Sequence, residues 1–146
     1  MTNKIESVYE YVKAALQTAG VANVLRIPDD IQMIGNYYPM ALLQEGMQNY
    51  IIDAGQRHIY ELTFTIYLCT DVVREQSKYM NDLQALIFNE LFKTSTMGGL
   101  AMNVNPISVD PGASNPISNA YISAGYSEAA QIRRIDINVK LQDVRI

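Results

Sequence analysis

Two stretches of strict two-residue alternation limit what this chain can fold into. Between Arg57 and Cys69, Tyr60, Leu62, Phe64, Ile66 and Leu68 fall on one face, while Ile59, Glu61, Thr63, Thr65 and Tyr67 fall on the other. From Arg134 to Gln142 the pattern repeats, with Ile135, Ile137, Val139 and Leu141 as its apolar positions. Side chains alternate across a strand, so each segment reads as a long strand with one core face. A one-residue slip would turn that face to water, so the two strands are expected to pair in a fixed register.

A sheet with one apolar face needs a covering layer, and the rest of the chain supplies helices for it. Ile5, Val8, Tyr9, Val12, Ala15 and Leu16 recur at three- and four-residue spacings within residues 4–18. Asn3 and Glu6 form a capping box before that helix, and Gly20 stands where it should stop. Residues 71–92 carry a longer stripe of Val72, Val73, Tyr79, Met80, Leu83, Leu86, Ile87 and Leu91, with Thr70 and Asp71 as expected caps.

Between the helices, residues 23–27 read as a short strand halted by Pro28, followed by a turn-rich connector to Tyr38. A strand beginning at Pro39 runs to Gly46, because proline lacks the N–H that a ladder needs and suits a strand start. A further run from Gln48 to Asp53 turns through Ala54-Gly55-Gln56 into the long strand, making an antiparallel hairpin. Beyond Gly98-Gly99 a strand is expected at 101–109, and residues 110–130 form an unusually long loop. The order predicts one α+β domain over 1–146. Its sheet is mostly antiparallel, and the N-terminal helix and the long central helix form one layer on one face.

Composition removes several function classes. With 49% apolar and 18% charged residues the chain can bury a core, and its net charge of −4 argues against a polyphosphate as main partner. A lone cysteine, Cys69, rules out an internal disulfide or a multi-cysteine zinc site, and a lone histidine, His58, rules out a multi-histidine metal centre. No segment is long and apolar enough for a membrane span, and the N-terminus does not have the pattern of a signal peptide.

His58 is the one ordinary general base, but no serine or cysteine lies beside it, and a surface or interface histidine is the plainer reading. Cys69, opposite Leu68, reads as a small half-buried residue. Asp29-Asp30 lacks the spaced ligands of a calcium loop and reads as a turn. Gly98-Gly99 lacks a phosphate-cradling pattern, and Arg133-Arg134 reads as a salt-bridge site on a rim. No catalytic residue, cofactor or metal is expected.

What the chain has in excess is tyrosine and methionine, residue types enriched at protein interfaces. The expected interface residues are Tyr37, Tyr38, Ile59, Thr63, Thr65, Tyr67, Tyr121 and Tyr126. Four of them share the non-core face of the 57–69 strand, where Tyr67→Glu is expected to block assembly of copies while leaving the fold intact.

The chain also resembles the tail terminator, or tail-completion, proteins of tailed bacteriophages. The resemblance rests on the N-terminal helix, the short strand before Pro28 and the Tyr38–Gly46 strand with its tyrosine-proline start and acid-glycine close. It rests further on the Tyr60–Tyr67 strand, the helix containing Asp82-Leu83-Gln84-Ala85-Leu86-Ile87, and the strand Arg133–Val139. The resemblance implies a structural virion subunit, assembled in the host cytoplasm, that forms a hexameric ring at the head-proximal end of the tail tube. Such a ring would stop tube growth and join the tail to the neck. Its partners would be other copies of itself, the tube protein, a neck or head-completion protein, and a sheath protein if the tail contracts. Genomic DNA would pass through the lumen without specific binding. Asp29, Asp30, Glu45, Asp53 and Glu61 against Arg57 concentrate acid within 29–70, as would suit a conduit for a phosphate backbone. Two other readings stay open at this stage: another ring-forming neck or head–tail connector, and a small-molecule-binding module or enzyme using His58.

Overall fold

The computed structural model describes residues 4–27, 29–30, 38–54, 57–70, 74–112 and 131–144. Helix α1 spans Lys4–Thr18 and strand β1 Asn23–Arg26, followed by β2, Met40–Ala54, and β3, Arg57–Thr70. Helix α2 covers Gln76–Leu91, a 3₁₀ turn Met97–Gly99, β4 Asn103–Asp110 and β5 Gln131–Val144. The strands form one mixed sheet in the order β1-β2-β3-β5-β4. Among the described strands only the β1–β2 pair is parallel; the others are antiparallel.

The two alternating segments lie side by side as expected. Phe64 faces Ile137, Leu62 faces Val139 and Ile66 faces Ile135, so their apolar faces coincide. Both helices cover that face. Val8, Val12 and Leu16 of α1 and Met80, Leu83, Ile87 and Leu91 of α2 close a single core over Tyr60, Leu62, Phe64, Ile66 and Leu68. This is the expected α+β arrangement with one helical layer. Gly20 ends α1 at φ 109°, a left-handed conformation that suits glycine, and Val21 N–H returns to Leu16 O at 2.9 Å.

The helix α2 differs from its sequence reading at both its start and its face. It begins at Gln76, with Glu75 at φ 52° and no side-chain cap, whereas Thr70 ends β3 fully buried. The expected Asn3 and Asp71 caps and the Val72 and Val73 positions lie outside the described residues. Leu86 is exposed, because the buried stripe steps from 83 to 87 and leaves 86 turned off it.

The expected break between the 39–46 and 48–53 segments is instead a kink within one strand. β2 runs continuously through two bulges, between Glu45 and Gln48 and between Tyr50 and Ile52. At the first of these, a Cβ on Gly46 would stand 2.9 Å from the Thr63 carbonyl oxygen. Backbone cannot retreat as a flexible side chain can, so Gly46→Ala is expected to destabilise the fold by about 1–3 kcal/mol in a urea denaturation series.

Candidate interaction surfaces

The expected interface residues separate into three groups. Ile59 and Thr63 are half-buried on the sheet face away from the helices, and Tyr38 is half-buried against a second apolar cluster. Thr65 and Tyr67 are buried, which corrects the expectation of an open outer face along the whole strand. Tyr37, Tyr121 and Tyr126 lie outside the described residues.

The correction has a clear structural cause. Alternation along β1 and β2 places Leu25, Met40 and Leu42 on the outer face, where they meet Tyr67, Cys69 and Ile132 as the second cluster, together with Ile27. Tyr67 keeps only 6% of its surface and lies 5.8 Å from the Arg134 guanidinium. Thr65 Oγ1 donates to Asp136 Oδ1 at 2.6 Å, and Asp136 also receives Arg134 Nε at 3.1 Å and Ser108 Oγ at 3.3 Å. The outer face thus grades from an apolar cluster at the β1 end of the sheet into a polar region around Asp136, Glu61 and Asn138.

The residues weighed for chemistry fall into structural roles. His58 is buried within β3, which corrects a surface placement, with the Tyr50 ring edge-on at 6.1 Å. Cys69 is fully buried instead of half-buried. Asp30 accepts the Arg26 N–H at 2.8 Å and closes the turn after β1. Arg133 and Arg134 point to opposite faces, as neighbours on a strand must. Arg134 pairs with Asp136, as a rim arginine would, but Arg133 is buried and donates from Nη1 to Asn81 Oδ1 and Gln84 Oε1 of α2, each at 2.8 Å. With no carboxylate among those contacts, burial lowers the Arg133 pKa.

Arg26 joins three elements. Its guanidinium bonds both Glu6 carboxylate oxygens at 2.6 and 2.7 Å, contacts Glu45 of β2, and lies 4.6 Å from the Tyr9 ring centroid. The hydrogen bond from Arg26 holds the Glu6 carboxyl below its usual range. A carboxyl depressed in the folded state contributes stability above its unfolded pKa and loses it as pH falls through the folded value. Glu6→Gln is therefore expected to flatten the fall in stability below about pH 4.3, the unperturbed glutamate range, in denaturation midpoints measured across pH.

Among the described residues, no group of three or more His, Cys, Asp and Glu side chains could hold a metal ion. Two surface hollows are open and lined largely by charged or small residues, one of about 90 Å³ beside Tyr11, Thr18, Glu90 and Lys93 and one of about 230 Å³ beside Arg74, Lys78 and Asp82.

Exposed apolar side chains single out different residues from those expected. Among the described residues, the large ones left exposed are Met47 at 70%, Tyr50 at 60%, Ile51 at 49%, Leu86 at 51%, Met102 at 42% and Ile107 at 54%. Met47, Tyr50 and Ile51 lie on β2 beyond the stretch that β1 covers, and Met102 and Ile107 lie at or beside β4. Five of the six therefore sit at the two ends of one sheet. Gly46 within an otherwise strand-like run was the one sequence signal for this, since glycine in a strand often marks a bulge that re-aims a side chain.

No protein-family model matches this sequence, and a search of curated proteins finds no match.

Proposed function

We propose that this chain is a structural subunit of a bacteriophage tail, a terminator that closes the head-proximal end of the tube as a ring of six. The observation that supports this reading is the set of exposed apolar side chains at opposite ends of one sheet, Met47, Tyr50 and Ile51 on β2 and Met102 and Ile107 at or beside β4. A closed ring joins each subunit to the next through two different patches, so every copy must carry both. The ring and its position rest on the resemblance of the sequence elements to tail terminator proteins. Tube protein below and a neck or head-completion protein above are the proposed partners, with sheath in a contractile tail, and DNA passes through the lumen unbound. The proposal gives His58 no catalytic role.

Co-sedimentation tests the partner. Mixed with tail-tube subunits, the protein is expected to pellet with assembled tubes and to halt their elongation at one end. Binding to portal subunits and not to tubes would place it in the neck instead, and binding to neither would remove the virion reading.

A further inference from the structure

We propose that the outer edge of β2 beyond Leu43 receives the β4 edge of a neighbouring copy of this chain, so that the sheet continues from one subunit into the next. This rests on the ring reading and supplies the contact by which such a ring would close.

β1 covers β2 only from Met40 to Leu43, and among the described residues no strand lies alongside the rest of β2 on that side. A free edge presents a row of unpaired N–H and C=O groups, which natural sheets ordinarily blunt with lysine, proline, β-bulges or a covering segment, and of these the β2 edge has the bulges alone among the described residues. Residues 44–51 contain no lysine, arginine or proline. Their one charge, Glu45, is held by Arg26. The bulges bend the strand and leave Met47, Tyr50 and Ile51 exposed among the uncharged Gln44, Gln48 and Asn49.

The opposite edge is built differently. Val104 N–H turns away from β5 and donates to Ser95 O at 3.0 Å. Pro106, two residues on and so turned to the same side, has no N–H to offer. Between Val104 and Pro106 β4 presents acceptors without free donors, so two β4 edges cannot form a reciprocal ladder through that stretch. The β2 edge carries donors that such acceptors can take. Ile107 at the β4 bulge and Met102 before it supply apolar side chains to set against Met47 and Ile51. Neither β4 nor residues 44–51 holds a lysine or arginine, so no pair of like positive charges opposes the meeting. Because the two edges lie at opposite ends of the sheet order, joining them is head-to-tail.

Single-cysteine pairs test the contact. Met47→Cys and Ile107→Cys change exposed side chains, and the native thiol of Cys69 is fully buried and out of reach of a short bis-maleimide. Unchanged melting curves confirm that both variants fold. The mixture of the two is expected to give a covalent dimer, and each variant alone none. Linkage of Met47→Cys to itself would show β2 edges pairing with each other and overturn the proposal. Rings that form in the mixture without linkage would overturn it and leave the ring reading standing. A monomer that neither assembles nor links, even with tube subunits present, would overturn both.

Discussion

Tyr67→Glu is expected to lower the stability of the isolated subunit by about 3–5 kcal/mol, the range for a charge left buried without a partner. Tyr67 retains 6% of its surface and packs among Leu25, Met40, Leu42, Cys69 and Ile132. A glutamate there would lose the ring's apolar burial and place a carboxylate among aliphatic side chains. The nearest cation in contact with the ring, Arg134, bonds Asp136 through Nε at 3.1 Å, and its Nη groups would have to turn in toward the cluster to meet the new carboxylate. Tyr67→Phe keeps the shape and is expected to stay within about 1.5 kcal/mol of the parent. Urea denaturation of the two variants separates burial from surface exposure. An unchanged midpoint for Tyr67→Glu would mean that the second cluster does not close over this ring.

The other large effect is at the centre of the main core. Phe64 is fully buried in β3, between Glu45 of β2 and Ile137 of β5 in the sheet register. Phe64→Ala is expected to cost about 3–5 kcal/mol, from the lost transfer of the ring out of water and from the cavity that remains. Neighbouring strands restrain how far the backbone can collapse into that space, which places the effect toward the upper part of the range. A loss below about 1 kcal/mol would show that the helical layer is not packed against this strand as described.

These two residues also show where sequence reading succeeds and where it stops. Phe64 belongs to an unbroken apolar alternation, and a matching alternation in Arg134–Gln142 specified both its face and its partner strand. Tyr67 lies on the polar side of the same alternation, with Glu61, Thr63 and Thr65. Its burial comes from β1 and the start of β2, whose outward residues form a second cluster only once the parallel β1–β2 pair is in place. That contact joins segments far apart in the chain and leaves no periodic mark around residue 67. The exposed Met47 and Ile51 were hidden for another reason: each bulge shifts the alternation by a residue, so a two-residue period no longer tells which side chains point out. Arg133 departs from the rim expectation because neighbouring strand positions face opposite ways, so two adjacent arginines do not form one cluster.

The ring itself is tested most directly by native mass across a concentration series, with negative-stain images of the largest species. The account predicts a closed ring at six times the 16.4 kDa chain mass, present at high concentration or once tube subunits are added. A dimer that persists unchanged at every concentration, with and without tube subunits, would contradict it.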